Sequence, residues 1–467
     1  MYAKQKVLQA RGGSWNMQSI QFSKPATLKN WTWLFIDSNR TALTQESLDH
    51  ALSGFTQTLR EMGIAADQPK PGIRLMYQWN VDNAPAIEKA VRELQQKHQP
   101  QLILGILFAK EAQVYNIVKQ VCDVRCGVRN VNVQAEKLSK PGGPGPQYWA
   151  NVGLKINLKL GGANQTLRNS DLGFFADGKT MLVGLDVTHP SPGSTSSAPS
   201  VVGIVASVDA QLAQWPADIR IQPARQEMVS DLDALLQSRI KIWANRNQGK
   251  FPENIVVYRD GVSEGQYDTV IEKELPLLKK ACETIYPASD TKKGLPRMAI
   301  VIVGKRHNTR FYPTNEGEAE RSANPQPGTI VDRGISESRH WDFYLQAHSA
   351  LQGTARPAHY FTVWDEIFYP LHPSVAPGAG AADKLQDLTH KLCYLFGRAT
   401  KAVSVCPPAY YADLVCTRAR CFMSDLFDPT PNATPAGSVI GGESGDRVPE
   451  ASQAIVHPSL KDSMFYI

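Results

Sequence analysis

The stretch Met181–Val187 reads MLVGLDV, and Asn254–Asp260 reads NIVVYRD. Each is a short apolar run rich in β-branched residues, the composition of a strand buried on both faces. Each carries an aspartate at its end, Asp186 and Asp260, so the carboxylate stands at the rim of a sheet rather than inside it. One such aspartate marks only a turn. Two on different strands of one sheet point to convergence on a metal. Hard oxygen donors suit magnesium or manganese, and two such ions about 4 Å apart clamp the attacking and leaving oxygens of a phosphodiester. Further carboxylates are needed to offset the ions' charge. Glu227, ahead of a long helix, and Asp413, inside PPAYYADLVCTRAR (Pro407–Arg420), are the candidates. Taken singly, Glu227 reads as an acid at a helix N-terminus and Asp413 as a partner of Arg418 or Arg420. As a set of four they favour a metal nuclease.

Outward from these strands, Ser200–Asp209 and Ala217–Gln222 follow with short links, which predicts an antiparallel meander. Helices are expected over Met228–Gln248, Tyr267–Ile285, Asp383–Phe396 and Ala409–Met423. Strands are expected over Met298–Lys305 and around Thr329–Asp332 and His359–Trp364. Tyr369–Ala382 and Asp428–Ser452, rich in small residues and proline, read as mobile. The first half has a different rhythm. Strand-like Trp31–Asp37, Arg74–Trp79, Gln101–Ala109 and Arg129–Gln134 alternate with helix-like Thr44–Met62, Ala84–His98 and Ala112–Val124. That βαβαβα order implies a parallel sheet with helices on its faces, where ligands sit beyond the carboxyl ends of the strands. A helix over Tyr148–Leu160 ends at Gly161 and Gly162, and the domain boundary falls near Gly162–Asp171.

The chain has 467 residues, enough for two to four domains at roughly 100–200 residues each. Hydrophobic content of 42% and charged content of 20% exclude a disordered or collagen-like chain. No apolar run reaches the roughly 18 residues of a membrane span, and the N-terminus shows no secretory pattern. The net charge of +6 permits a polyanionic partner. From Asn116 to Gly161 seven cations face only two anions. The seven cysteines form no CxxC pair, which speaks against a zinc site or disulfide framework and for thiols in a reducing compartment.

Within the basic stretch, Tyr115 and Lys119 are four apart and share one helix face. Lys155 and Lys159 repeat the spacing on another helix. Two ordinary amphipathic faces explain this, and so does convergence on one terminal phosphate, with lysines as point charges and the tyrosine stacking on a base. His189 reads as a turn histidine satisfied by the backbone, and His307, among Lys305, Arg306 and Arg310, as lining a nucleic-acid groove. Neither they nor His359 is assigned as a ligand.

The segments DVTHPSPGS (Asp186–Ser194), RQE (Arg225–Glu227), YRDGVSEGQY (Tyr258–Tyr267), KRHNTR (Lys305–Arg310), QGTARPAHY (Gln352–Tyr360) and PPAYYADLVCTRAR (Pro407–Arg420) resemble the PIWI domain of eukaryotic Argonaute proteins. VYNIVK (Val114–Lys119) and LKINLKLGG (Leu154–Gly162) resemble the Argonaute MID domain. The resemblance implies an α/β architecture: a linker over 1–28, a Rossmann-like MID domain over 29–165 and an RNase H-like PIWI domain over 166–467. It reads as the C-terminal half of an Argonaute, whose N and PAZ domains precede MID. It assigns catalysis to Asp186, the glutamate finger Glu227, Asp260 and Asp413, with Asp186, Asp260 and Asp413 holding two Mg²⁺ or Mn²⁺ ions. The implied reaction cuts a guide-paired target RNA and leaves 5′-phosphate and 3′-hydroxyl ends. The 5′-phosphate of a small guide RNA falls to Tyr115, Lys119, Asn130 (with Asn132 as the neighbouring alternative), Lys155, Lys159 and Arg418. Arg398 falls on the guide backbone, and the loop Ala109–Gln113 on the first guide base. The remaining implications are a monomer in the cytoplasm, or the nucleus, with silencing proteins docking on the PIWI surface. Two alternatives stand beside this: a guide-binding protein that silences without cutting, and an RNase H-like nuclease that uses no guide.

Overall fold

The computed structural model describes residues 1–3, 6–39, 41–140, 144–291, 294–371, 380–427 and 455–467. Asp428–Ser452, and most of Tyr369–Ala382, lie outside the described residues. Two large sheets organise the chain. The first holds β2 (Trp31–Asp37), β4 (Ile73–Met76), β5 (Leu102–Leu107) and β6 (Asn130–Gln134) in the order β4-β2-β5-β6, all parallel. A two-residue parallel pair, β1 (Thr27–Leu28) with β3 (Ala65–Ala66), lies beside it. β2 and β5 are buried along their whole length, as continuous apolar strands between two helical layers must be. Helices Gln45–Glu61 and Pro146–Lys159 pack on one face, and Ala84–His98 and Ala112–Gln120 on the other.

The second sheet has eight strands in the order β12-β13-β14-β11-β10-β7-β8-β9. Its members are β7 (Thr180–Thr188), β8 (Ser200–Ala206), β9 (Ala217–Gln222), β10 (Asn254–Asp260), β11 (Arg297–Gly304), β12 (Thr329–Val331), β13 (Trp341–Gln346) and β14 (Ala358–Asp365). β7, β8 and β9 form the expected antiparallel meander, while β7, β10 and β11 are parallel. Helices Leu232–Arg246 and Leu275–Ile285 cover one face, and Ala381–Leu392 and Pro407–Phe422 the other. The helix Pro407–Phe422 lies directly on the sheet because β7 and β8 are bare beneath it. A side chain at Gly184 would meet the Pro408 carbonyl at 1.9 Å, and one at Gly203 the Ala412 carbonyl at 2.7 Å. That close seat holds the helix that carries Asp413 and Arg418 directly against β7 and β8.

Several elements depart from the sequence expectation for physical reasons. β13 was not expected: WDFYLQ carries a buried Asp342, which the sequence does not show to be paired with His359 at 2.8 Å. The helix expected over Tyr267–Ile285 is interrupted by a π turn at Val270–Glu274. Pro276 follows in the first turn of the next helix segment, and without an N–H it cannot continue the ladder. The helix Ala112–Gln120 likewise widens into a π turn, Val121–Cys126, closed by Gly127 at φ 65°. The helix expected from Met228 begins at Leu232, since Val229 donates its N–H to the Glu274 carboxylate instead, at 3.2 Å.

The ends of the chain are fastened across both sheets. The Trp15 ring stacks on Tyr394 at 6.2 Å, and the Trp15 backbone N–H donates to the Thr400 carbonyl at 2.9 Å. In the boundary segment, Asn164 donates to the Gly397 carbonyl at 2.7 Å and Gln165 to Phe396 at 3.1 Å. The final residues, Met464–Ile467, are buried. Among the described residues no helix is long and apolar enough to cross a membrane.

Candidate nucleic-acid interface and active site

A cavity of about 180 Å³ opens where the helix Ala112–Gln120, β6, the helix Pro146–Lys159 and the helix Pro407–Phe422 meet. Its lining includes Tyr115, Lys119, Asn132, Lys155, Arg398, Arg418 and the C-terminal Ile467. The i, i+4 spacing of Tyr115 and Lys119 puts the ammonium 5.3 Å from the centre of the tyrosine ring. Arg418, from the other sheet's helix, pairs with Asp123 at 2.8 Å and donates to the Phe465 and Tyr466 carbonyls at 2.9 and 3.2 Å. Asp123 is 1% exposed and faces inward from the π turn.

The structure separates the expected pocket residues into two layers. Tyr115, Lys119, Lys155, Arg398 and Arg418 line the cavity. Lys159 lies beneath, fully buried, and donates to the Phe465 carbonyl. Asn130 is also beneath: it accepts from Lys119 and donates to Asp123 at 2.8 Å. Asn132 takes the lining position instead, and its amide nitrogen and oxygen are both without a hydrogen-bond partner. The period of two along β6 gives both asparagines the same face, so only the depth of the pocket tells them apart.

Crowded cations define the electrostatics. Burial, reinforced by Arg418, pushes the Lys119 ammonium down to about 7. Burial and Arg398 push Lys155 down to about 8. Lys159 is lowered by burial, then by Arg418 and Lys119. Arg418 is held more firmly protonated despite burial, by Tyr115 and Asp123. Such a set is short of negative charge, and an anion entering it relieves the repulsion.

The acidic rim lies on the second sheet, but Asp186 is buried inside β7, two residues before its end, rather than exposed at the rim as its place in MLVGLDV suggested. Arg259 of β10 pairs in register with Leu185 of β7, which sets Asp260 beside Asp186 on the neighbouring strand. Burial, then Asp186, then Asp413 push the Asp260 carboxyl up to about 7. Burial and Asp186 push Asp413 up to about 6. Asp186 is raised by burial, against the pull of Arg259. These three carboxylates therefore feel one another. The partners suggested for Asp413 by sequence are engaged elsewhere: Arg418 with Asp123, and Arg420 over the Phe427 ring at 4.9 Å. Glu227 lies close enough to Asp186 to raise it. Its carboxylate is held by His189 at 2.7 Å and by Arg259 at 2.8 Å. His189 is thus satisfied by side chains, Glu227 and Ser200, rather than by the backbone. His307 bonds the Pro357 carbonyl at 3.0 Å. An all-carboxylate donor set has the chemistry that suits Mg²⁺ or Mn²⁺. Among the described residues, however, no three His, Cys, Asp or Glu side chains stand close enough to enclose an ion.

Sequence reasoning missed Asp123, Arg259, Glu274 and the C-terminal Phe465–Ile467. A charged residue inside an apolar run, as in NIVVYRD, was the available signal for Arg259, because it demands a buried partner. The aromatic end MFYI, following a polar segment, was the signal that the tail docks.

The sequence pattern of the Piwi domain matches residues 102–424. Argonaute 5 of Arabidopsis thaliana is 32% identical over 489 residues, covering 99% of this chain and 45% of that protein. The structure of Kluyveromyces polysporus Argonaute with a guide RNA aligns at a TM-score of 0.80 and 30% identity, over 97% of this chain and 50% of that one. The N. crassa QDE-2 MID-PIWI domains align at a TM-score of 0.68 and 31% identity, over 96% of this chain and 100% of theirs. The chain spans about half the length of the full-length relatives it matches. With a parallel four-stranded sheet joined to an eight-stranded mixed sheet and the Piwi pattern across both, this chain belongs to the Argonaute family, as its MID–PIWI lobe.

Proposed function

We propose that this lobe anchors the 5′-phosphate of a small guide RNA between its two sheets and presents a guide-paired target RNA to the acidic rim for cutting. The proposed MID domain is 29–165 and the PIWI domain 166–467. The observation that carries the reading is the cavity in which Tyr115, Lys119 and Lys155 of one sheet meet Arg398 and Arg418 of the other. Tyr115, Lys119, Lys155 and Arg418 take the phosphate, Asn132 offers its unpaired amide, and Lys159 and Asn130 hold the pocket floor. Arg398 takes the guide backbone. Asp186, Asp260 and Asp413 would hold two divalent ions, with Glu227 closing the set. Bound there, the ions would supply Lewis acidity and an activated water. The chain's own part is to orient carboxylates at the rim and keep them dry. A cytoplasmic or nuclear site of action accords with seven free cysteines, six of them buried.

A short RNA with a 5′-phosphate is expected to bind at least about tenfold more tightly than its 5′-hydroxyl twin, since each charge-assisted bond is worth roughly 1.5–3 kcal/mol. Equal affinities at fixed salt sink the reading. The affinity should also depend on pH in a definite direction. Lys119 and Lys155 titrate at about 7 and about 8 in the free protein, and a bound phosphate favours their charged forms. Binding therefore takes up protons above about pH 7, and affinity falls as pH rises, by up to about tenfold per unit for each lysine. Below about pH 6 the phosphate gains its own proton, so affinity falls there too. Titrations from pH 5.5 to 9 at constant ionic strength would show the maximum.

A second reading, guide binding that silences without cutting, is favoured by the engagement of the Glu227 carboxylate with His189 and Arg259. Incubating the guide-loaded chain with a matched RNA, in Mg²⁺ and in EDTA, separates the two. Cleavage only in Mg²⁺ supports the first, and no cleavage in either supports the second.

A further inference from the structure

Arg259 has no exposed surface, so its charge must be matched in place. Its guanidinium is divided among three partners. Nε donates to Glu274 at 3.1 Å, and Nη2 does the same at 3.1 Å. Nη2 also meets the Glu227 carboxylate at 2.8 Å and donates to the Glu227 carbonyl at 2.8 Å. Nη1 donates to the Asp260 carbonyl at 2.6 Å. Glu274 is itself 1% exposed, and its Oε1 accepts the Val229 N–H at 3.2 Å. One carboxylate thus touches both ends of the segment Glu227–Val229, directly at Val229 and through Arg259 at Glu227. That segment lies in an irregular connection between β9 and the helix Leu232–Arg246, with no ladder of its own to fix it. Glu274 reaches this place because it closes the π turn Val270–Glu274, whose extra residue per turn redirects the side chains that follow.

We propose that Glu274 is a positioning residue for Glu227: by holding the Arg259 fork and the Val229 amide, it presents the Glu227 carboxylate to the Asp186–Asp260 rim. The proposal rests on the reading of that rim as a cleavage site. The charge on Glu274 matters as much as its shape. Arg259 attracts Asp186 as well as Glu227 and Glu274. Without the anion at 274, the guanidinium is released toward Asp186, where it competes with any cation and lets the Glu227 segment drift. A neutral side chain of the same shape therefore leaves the fold in place and disorders the rim.

The test is Glu274→Gln in the full chain. Melting temperature within a few degrees and guide affinity within about twofold of the parent show that the fold and the phosphate pocket survive. Amide exchange in Gln226–Val229 is then expected to accelerate at least about tenfold, with the rest of the second sheet unchanged. Cleavage of a matched RNA at saturating target should fall at least about tenfold while KM for the target stays the same. Unchanged exchange in Gln226–Val229 overturns the proposal, and so does a cleavage loss that appears wholly in KM. If the parent chain does not cut at all, the cleavage reading fails, and exchange alone decides whether Glu274 holds the segment. If Glu274→Gln does not fold, Glu274→Asp keeps the charge one methylene short. Faster exchange confined to Gln226–Val229 in that variant supports the proposal, and wild-type exchange refutes it.

Discussion

Replacing Arg418 with alanine will weaken binding of a 5′-phosphorylated RNA by roughly one to two orders of magnitude and will erase most of the preference for phosphate over hydroxyl. A charge-assisted bond to phosphate contributes roughly 1.5–3 kcal/mol, which is about 10- to 150-fold. Arg418 is also the cation that one sheet lends to the other's pocket. It pairs with Asp123 at 2.8 Å across 295 residues of sequence and holds the Phe465 and Tyr466 carbonyls of the tail. Removing it takes the ion-pair partner from Asp123, which is 1% exposed and keeps the Asn130 amide, and breaking a buried pair from one side costs about 3–5 kcal/mol. The variant should therefore melt several degrees lower as well. Arg418→Lys should recover part of the phosphate preference but little of the stability, because an ammonium cannot serve Asp123 and two carbonyls with a planar fork. Fluorescence titration of paired phosphate and hydroxyl RNAs, with thermal melting alongside, gives both readouts. A variant that keeps the parent's phosphate-to-hydroxyl ratio would remove Arg418 from the pocket.

Asp260→Asn is expected to abolish cleavage, by at least about a thousandfold, and yet to stabilise the fold in EDTA. The first effect follows from losing a charged donor whose proposed role is to offset the ions' charge, several kcal/mol of transition-state stabilisation. The second follows from the carboxylate's environment. Burial, Asp186 and Asp413 hold Asp260 at about 7 when no cation is bound, against roughly 3.9 for an unfolded aspartate. The folded chain therefore binds this proton more tightly than the unfolded chain. The stability that protonation gives is fully present below about pH 4 and is lost as pH rises through about 7. The asparagine variant escapes that loss, on the order of a few kcal/mol. Its advantage in melting temperature should be largest at pH 8 in EDTA and should vanish near pH 4. Mg²⁺ or Mn²⁺ should raise the parent's melting temperature and leave the variant's nearly unchanged. An asparagine variant that melts below its parent at pH 8 in EDTA would show that these carboxylates do not repel one another.

The strands, the helices and their order were legible because burial writes a local period. LILGIL, and IVVY within NIVVYRD, are continuous apolar runs, and strands buried on both faces read that way. The helix Ala84–His98 shows its stripe at helical spacing, ended by Gln99 in a left-handed cap. The acidic set could be read from acids near strand ends, and one face of the cationic cavity from Tyr115 and Lys119, four apart. Trp341–Gln346 escaped because its Asp342 pairs with His359 on the adjacent strand β14. That contact makes a charged residue compatible with a buried strand, and no window of sequence contains it.

The sequence by itself determined the alternation of elements, the two sheet types and the chemistry available at each strand end, because these follow from side chains a few residues apart. Only the tertiary structure decided which groups meet. It chose Asn132 over Asn130 as the lining amide, carried the chain's last residues into a pocket built near residue 119, set Arg418 on Asp123, and tied Glu227 through Arg259 to Glu274. These pairings depend on sheet order and on the paths of connecting segments, and those are settled by the burial of whole layers. The charges involved carry no periodic signal. Their partners become specific only when desolvation leaves each buried charge one place where it is matched.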